Sequence, residues 1–253
     1  MATKTFNETH IENFAQPRPI PKSLDVLRHW MGSGHRAIDV GCGSGFYTEL
    51  CRQCGNAVTG VDLTSQVQAV HARSLDVCQG SVEGSLPFAT GCFTLALCIE
   101  VVEHLLQPDL MLAEIYRVLQ PGGTLILSTP NYSYWVWRLR YLVGYLPVGV
   151  QARHFAGLVR RVSAVGPPPW RDPHIRFFNP AIIRTFLHQS GFTVEEIRGT
   201  FVAFPAGLAP YLPLLPALSL RVIGKLIGNL EFLGDHYPDL LAAGMLVRAT
   251  RRS

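Results

Sequence analysis

The feature that most limits the possible folds is a glycine-rich turn between a short apolar run and a helical pattern. The apolar run Arg36–Val40 ends within the motif Asp39-Val40-Gly41-Cys42-Gly43-Ser44-Gly45, and helical periodicity begins near Phe46. A second apolar run, residues 57–61, ends on Asp62, which lies 19 residues beyond Gly43. A strand, a tight turn, a helix and a second strand are typical of a parallel sheet that binds ligands at the carboxyl ends of its strands.

Glycine has a physical task in this turn. Without a Cβ atom the backbone can bend sharply, and a ligand can approach the N–H groups at the start of the helix. The dinucleotide fingerprint Gly-x-Gly-x-x-Gly needs a small residue at position 46, where this chain has Phe46, so NAD and FAD are disfavoured. Asp62 stands close to the spacing expected of a carboxylate that binds a ribose diol.

Composition places the chain among ordinary globular proteins. It has 253 residues, of which 48% are hydrophobic and 16% are charged, and Lys plus Arg exceeds Asp plus Glu by only 22 to 18. Disorder is excluded, and the charge balance does not by itself imply nucleic acid. Residues 1–23 contain no apolar stretch, so we expect no secretory signal, a cytoplasmic location and reduced thiols at all six cysteines. The Cys51-x-x-Cys54 pair is interpreted as helix packing, because no second pair accompanies it.

Apolar runs alternate with helical patterns up to about Arg198, which predicts an α/β fold with a parallel sheet. Asn179-Pro180 predicts a helix N-cap and first helical residue, and Gly191 predicts the end of that helix. The final apolar run, residues 244–250, predicts a strand that returns to the sheet.

The motifs, taken in order, resemble those of class I S-adenosylmethionine-dependent methyltransferases. After Gly41-x-Gly43-x-Gly45 and Asp62 come Gly80-Ser81-Val82-Glu83, Leu86-Pro87-Phe88, the run 93–98 and the turn 117–124. Residues 128–131 (Ser-Thr-Pro-Asn) and 174–178 (His-Ile-Arg-Phe-Phe) are similar to stretches in the branch that contains ubiquinone-biosynthesis O-methyltransferases. The resemblance covers about residues 30–200.

The resemblance implies a Rossmann-like seven-stranded mixed sheet with an antiparallel seventh strand, helices on both faces, and S-adenosyl-L-methionine as cofactor. It also implies a set of cofactor-binding residues: Asp39, Gly41, Cys42, Gly43, Gly45, Asp62, Leu63, Ser81, Val82 and Cys98. Two positions depart from the family pattern, because Ser81 and Thr94 stand where Asp is usual. A hydroxyl at position 81 can still bond adenine, with less strength than a carboxylate, and backbone groups near Val82 offer a substitute.

The acceptor side is predicted from Glu100-Val101-Val102-Glu103-His104, which follows the fourth strand directly. A helix beginning at Glu100 would place Glu100, Glu103 and His104 on one face at the ligand edge. Such a set could hold a divalent ion such as Mg²⁺ and activate a phenol, whose pKa of about 10 keeps it protonated at neutral pH. Glu-x-x-Glu-His resembles the metal-binding motif of small-RNA 2′-O-methyltransferases and some quinone O-methyltransferases.

The alternative without a metal keeps Glu103 as an orienting group and His104 as a base that lines the acceptor pocket. His154 and His174 are further catalytic or ligand candidates, although a solitary histidine is more often simply hydrogen-bonded in a loop.

Two insertions are predicted to form a lid. Residues 132–176 contain seven arginines, one acid and no lysine, together with six aromatic residues between 132 and 145. This segment is interpreted as a packed lid, a membrane-contacting lid or an RNA-binding surface. Residues 199–240 are strongly hydrophobic, but prolines at 205, 210, 213 and 216 argue against a membrane span. A helical apolar stripe at 218, 222, 226, 230 and 233 favours lipid over RNA, or packing on its own domain.

These observations predict a single methyltransferase domain over residues 1–253, with a cofactor-binding core at 30–131, a lid insertion at 132–176 and a hydrophobic insertion at 199–240 between strands six and seven. The expected reaction is methylation of an oxygen on a small lipophilic phenol, quinol or related natural product, with possible peripheral membrane contact and without nucleic acid. RNA 2′-O-methylation and a noncatalytic S-adenosylmethionine-binding partner protein are the alternatives.

Overall fold

The computed structural model describes residues 21–63, 75–142, 174–200 and 237–253. Six α-helices and seven strands lie in this part of the chain. The helices are α1 (Pro21–Met31), α2 (Phe46–Gln53), α3 (Pro108–Val118), α4 (Trp135–Leu142), α5 (Pro180–Gln189) and α6 (Pro238–Leu241). The strands are β1 (Arg36–Val40), β2 (Ala57–Asp62), β3 (Val77–Gln79), β4 (Phe93–Ile99), β5 (Leu119–Pro130), β6 (Phe192–Gly199) and β7 (Gly244–Arg251).

The strands form one seven-stranded sheet in the order β3-β2-β1-β4-β5-β7-β6. Strands β1 to β5 pair in parallel, whereas β7 runs antiparallel to both β5 and β6. The predicted mixed sheet with an antiparallel seventh strand is therefore confirmed. The order of the strands reverses between β1 and β4, which is where ligands bind in open α/β sheets.

The apolar strands are buried on both faces because helices cover both. Adjacent residues of a strand point to opposite sides, so Ile38 and Ala96 join one hydrophobic cluster while Ala37 and Leu95 join the other. The first cluster includes α3 and α5, and the second includes α1 and α2. Because the helices cover both faces of the sheet, the loops at the carboxyl ends of its strands are where a site can form.

Two local predictions are confirmed in detail. Helix α5 begins at Pro180, and the Asn179 side chain accepts a hydrogen bond from the Ile182 N–H at 2.8 Å. Gly191 follows the helix with a φ of 93°. The returning strand β7 is one residue longer than predicted, because Arg251 still pairs with Phe192.

Most of both predicted insertions lies outside the described residues. This holds for residues 143–173, which include His154, and for 201–236, which include the apolar stripe. Of the lid, the structure describes residues 132–142, which include buried Tyr134 and helix α4, and residues 174–176. No helix within the described ranges combines the length and apolar character that a bilayer crossing requires.

Candidate active site

The glycine turn connects β1 to α2 and lies at the centre of the sheet's carboxyl edge. The N–H groups of Gly41 and Cys42 both donate to the Val61 carbonyl, at 2.8 and 3.1 Å, which ties the turn to the end of β2. Gly41 has a φ of 76°, and a Cβ there would lie 2.6 Å from Val101 Cγ2. Gly43 has a φ of 50°, but a Cβ there would meet no atom within 4 Å. Gly41 thus allows close packing, whereas Gly43 borders open space.

Asp62 lies opposite this turn. One carboxylate oxygen accepts from the Gly43 N–H at 2.7 Å, and the other accepts from the Leu63 N–H at 2.6 Å. Each oxygen keeps a second lone pair for a ligand hydroxyl. Burial raises the pKa of Asp62, and the two backbone hydrogen bonds oppose that shift. The structure therefore brings the predicted loop and the predicted acid into direct contact.

Asp39 is a second carboxylate beneath the turn and is only 1% exposed. It accepts a hydrogen bond from the Thr48 hydroxyl at 2.6 Å, which joins the end of β1 to α2. Burial raises the pKa of Asp39 to about 7, and the negative charge of Asp62 adds to the shift. Within the described ranges neither carboxylate takes part in an ion pair; both accept hydrogen bonds instead.

The other predicted cofactor residues have different surroundings. Cys42 is buried in a small cluster with Leu75 and Val77, below the turn. Cys98 is fully buried, and its Sγ lies 3.6 Å from Met111 Sδ in the core under α3. Both thiols are therefore buried within the protein.

At the β3 end of the edge, the Gly80 N–H donates to the Asp62 carbonyl at 2.9 Å. This bond brings exposed Ser81 and half-buried Val82 close to Asp62. Thr94, the second departure from the family pattern, hydrogen-bonds His35 at 3.0 Å, at the opposite edge of the sheet. It lies near the start of β4, away from the carboxyl ends of the strands.

The prediction of a helix that begins at Glu100 is wrong. The structure has a single 3₁₀ turn, Val102–His104, because the backbone reverses at Glu100 with a φ of 55°. Hydrogen bonds to Ser128 hold that conformation: the Glu100 N–H donates to its hydroxyl at 3.1 Å, and the hydroxyl donates to Glu100 Oε1 at 2.6 Å. Part of Glu100 is accessible to solvent, but burial around its carboxyl group raises the pKa of that group.

The structure brings Glu103, His104 and His174 together. One potential ligand atom from each lies within 4.8 Å of the others. Glu103 is fully buried, and neither of its carboxylate oxygens receives a hydrogen bond within the described part. Burial, followed by the charge of Glu100, raises the pKa of Glu103 well above its ordinary range. A buried carboxylate without a donor is costly unless a cation or proton accompanies it.

His174 reaches this cluster through the backbone of its own segment. The N–H groups of Ile175 and Arg176 both donate to the Glu103 carbonyl, at 2.9 and 3.1 Å. The Arg176 side chain also donates to the Leu106 carbonyl. Burial lowers the pKa of His174, which favours the neutral imidazole. These contacts join residues 70 positions apart, and His154, the other distant histidine, lies outside the described residues.

Sequence reasoning missed two residues of the site. Ser128, at the end of β5, orients Glu100, and Tyr132 Oη lies 2.9 Å from His174 Nδ1. Ser128 is the first residue of the Ser-Thr-Pro-Asn stretch and Tyr132 follows it, and the position of this stretch at the carboxyl end of a predicted strand was the sequence signal for both.

Comparison with known proteins agrees with this geometry. Residues 38–127 match the model of a methyltransferase domain family. The chain is 31% identical over 179 residues to the mitochondrial ubiquinone biosynthesis O-methyltransferase of Mus musculus, covering 66% of this chain and 44% of the mouse protein. It is 29% identical over 192 residues to the ubiquinone biosynthesis O-methyltransferase of Nitrosococcus oceani, covering 71% and 72%. The predicted resemblance to class I S-adenosylmethionine-dependent methyltransferases is therefore confirmed.

The methyltransferase fold extends beyond the segment matched by the family model. A solved S-adenosylmethionine-dependent methyltransferase from Archaeoglobus fulgidus superposes with a TM-score of 0.57 at 17% identity, covering 91% of this chain and 92% of that one. This likeness supports the architecture alone. The chain spans less than half the length of the mouse relative.

Proposed function

We propose that this chain is an S-adenosylmethionine-dependent O-methyltransferase whose acceptor is a small lipophilic phenol or quinol. The proposal depends on two sets of residues, a cofactor half and an acceptor half, which lie at the same edge of the sheet. The cofactor half is Gly43 with Asp62, whose hydrogen bond is 2.7 Å long. The acceptor half is the cluster of Glu103, His104 and His174. Strand β1 leads into the first half and its neighbour β4 into the second.

The residues of the cofactor half fit S-adenosylmethionine in shape and charge. The open space beside Gly43 leaves room for a ligand against the turn. Asp62 would bind the ribose hydroxyls, and Ser81 with Val82 would border the adenine. Asp62 would contribute negative charge, which suits a sulfonium cation. When bound, this cofactor would supply a methyl group that is already electrophilic.

The chain's own task is then to position the acceptor oxygen and remove its proton. The 3₁₀ turn presents His104 beside Glu103, with His104 Nε2 3.7 Å from Glu103 Oε1. His104 would accept the proton of the acceptor hydroxyl while the acceptor oxygen bonds to the methyl carbon and the methyl–sulfur bond breaks, leaving a neutral thioether. Glu103 would stabilise the resulting imidazolium. Segment 174–176, held by two backbone bonds to Glu103, would help to exclude water.

The same cluster fits a divalent ion. The donor set has one buried carboxylate without a hydrogen bond in the described part and two imidazoles, and Glu100 is near enough to raise the pKa of Glu103. Oxygen and imidazole donors suit Mg²⁺, Mn²⁺ or Zn²⁺. Such an ion would supply Lewis acidity that lowers the pKa of the acceptor hydroxyl. Glu103, His104 and His174 would hold it, with Glu100 beside them.

A lipophilic acceptor is supported by exposed apolar side chains around the cluster. Leu106 is 68% exposed and Phe177 is 45% exposed, and the Arg176 side chain, bonded to the Leu106 carbonyl, connects their two segments. Exposed apolar surface beside a site marks a place for an apolar ligand or a membrane. An acceptor with a hydrocarbon tail would cover this surface, and peripheral membrane contact by the same face remains a prediction.

The test is methyl transfer from methyl-labelled S-adenosylmethionine. The acceptors are a catechol with a long alkyl tail, the same catechol without the tail, and a mixed small-RNA fraction. We expect label on the catechol oxygens, with the tailed compound used at lower concentration. Glu103→Gln keeps the size of the side chain but removes its charge, and we expect its kcat to fall about 100-fold or more. Glu49→Gln is the control, because Glu49 bonds Arg52 on the outer side of α2.

The outcomes separate the alternatives. Full activity in excess chelator, together with an active Glu103→Gln variant, would remove both the ion and Glu103 from the mechanism. If the label were found only on RNA, the acceptor would be an RNA ribose rather than a phenol. Cofactor binding without label on any acceptor would indicate a noncatalytic S-adenosylmethionine-binding protein.

A further inference from the structure

One peptide unit just before α3 is held at both ends by charged side chains from distant parts of the chain. The Gln107 N–H donates to Glu83 Oε1 at 2.5 Å, and the Arg176 guanidinium donates to the Leu106 carbonyl. The two backbone groups belong to the same trans peptide bond, so they point in opposite directions. Each hydrogen bond joins a peptide group to a full charge and is stronger than a bond between neutral groups. The peptide therefore links a residue 24 positions before it to one 70 positions after it.

Glu83 lies in the loop that the proposed function places beside the adenine. The start of this loop is tied to β2 by the Gly80 N–H, and its end is tied to α3 by the Leu86 N–H, which donates to Glu114 at 2.7 Å. Between these points residues 81–84 form a tight turn, closed by an N–H···O bond of 3.1 Å between its last and first residues. Glu83 is therefore part of the same short turn as the residues that would contact the cofactor.

Arg176 lies in the segment that brings His174 to the acceptor cluster. Its own N–H and that of Ile175 donate to the Glu103 carbonyl, at 3.1 and 2.9 Å. The side chain of Leu106, on the bridged peptide, is 68% exposed and belongs to the apolar surface assigned to the acceptor. The second end of the bridge is therefore part of the acceptor half.

We propose that Glu83 and Arg176 are positioning residues that couple the two halves of the site. Cofactor bound against the turn 81–84 holds Glu83 on the Gln107 N–H, and hydrogen bonds at the two ends of one peptide strengthen each other. The cofactor thereby orders the Arg176 segment, so the acceptor does not have to supply that ordering when it binds. Bound cofactor therefore raises the affinity for the acceptor. This inference deepens the proposed function and rests on it for the place of the cofactor.

The experiment is amide hydrogen exchange, followed by ¹H–¹⁵N spectra, with and without saturating S-adenosylmethionine. The variants are Glu83→Ala and Arg176→Met, which each remove one end of the bridge, and calorimetry sets the concentration that saturates each protein. In the wild type we expect the cofactor to slow exchange of the Ile175 and Arg176 amides about 10-fold. In both variants we expect this slowing to disappear.

Asp109→Ala is the matched control, because Asp109 is an exposed acid in the first turn of α3. Its loss removes a negative charge near the same helix terminus and leaves the Glu83 contact in place, so the cofactor effect should persist. If Glu83 only capped α3, Glu83→Ala would lower the Tm and keep the cofactor-dependent slowing at residues 175 and 176. That result, or no slowing in the saturated wild type, would overturn the inference.

The cofactor-free protein gives a readout that needs no ligand. Glu83→Ala should speed exchange of the Gln107 amide about 10-fold, whereas Asp109→Ala should leave it unchanged. An unchanged Gln107 amide in Glu83→Ala would also overturn the inference. Failure of methyl transfer to every acceptor, with the cofactor effect at residues 175 and 176 intact, would refute the proposed reaction and leave the coupling standing.

Discussion

Replacing Gly41 by alanine tests whether the turn is built as the structure shows. The new Cβ would lie 2.6 Å from Val101 Cγ2 and 3.1 Å from Val101 Cγ1, at a φ of 76°. The left-handed backbone alone costs an alanine about 1–2 kcal/mol. The overlap with a buried valine adds about 1–3 kcal/mol, because packed interiors yield little. We therefore expect Gly41→Ala to lower the free energy of unfolding by about 2–5 kcal/mol.

Gly43→Ala is the matched control, because it carries backbone strain without the overlap. Gly43 has a φ of 50°, and its Cβ would find no atom within 4 Å. Its cost should be the backbone term only, about 1–2 kcal/mol. The same methyl group would intrude on the space assigned to the cofactor. Gly43→Ala should therefore fold nearly normally and bind S-adenosylmethionine poorly, whereas Gly41→Ala should mainly lose stability.

The assay is urea denaturation of both variants, of Val101→Ala and of the double variant Gly41→Ala/Val101→Ala. Truncating Val101 removes the two methyl groups that would clash. The double variant should therefore be more stable than the sum of the single losses predicts, by about 1–3 kcal/mol. Equal destabilisation by Gly41→Ala and Gly43→Ala, together with additive losses in the double variant, would refute the reasoning.

Two further predictions concern the carboxylates. Asp39→Asn should flatten the pH dependence of stability. The pKa of Asp39 is about 7 in the folded protein and 3.8 as the ordinary value, so the folded state holds the proton more tightly. The free energy of unfolding of the wild type should therefore fall as the pH rises from 3.8 to about 7, by at most about 4 kcal/mol. Urea denaturation at both ends of this pH range measures the change, and an equal pH dependence of stability in Asp39→Asn would contradict the prediction. Glu114→Ala should cost about 1–2 kcal/mol, because Glu114 accepts from the Leu86 N–H at 2.7 Å and pairs with Arg117 at 2.7 Å. Glu195→Ala, on an exposed strand position, is the control, and similar losses in both would count against the Glu114 network.

The parts of the fold that could be predicted from the sequence are those specified by neighbouring residues. The turn from β1 to α2 was predictable because glycines must stand where the backbone takes positive φ and because Phe46 opens a helical pattern. The start of α5 was predictable because Asn179 caps the helix and Pro180 suits its first position. In both cases the physical cause lies within a few residues of the effect.

The acceptor cluster was only partly predictable because its causes are distant in the sequence. The reversal at Glu100 depends on Ser128, 28 residues later, and a non-glycine residue with positive φ leaves no local signal. His174 joins the cluster through backbone bonds from Ile175 and Arg176 to Glu103. Cys98 was placed next to the cofactor by the motif, but strand alternation turns its side chain into the core against Met111.

The measurement that tests the central claim most directly is calorimetric titration of S-adenosylmethionine into the wild-type protein and into Asp62→Asn. The variant keeps the shape of the side chain but loses the charge that would strengthen hydrogen bonds to the ribose hydroxyls. We predict saturable binding to the wild type and affinity weaker by at least about 10-fold in the variant, or about 1.4 kcal/mol. No binding to the wild type, or equal affinity in a folded Asp62→Asn protein, would contradict the account.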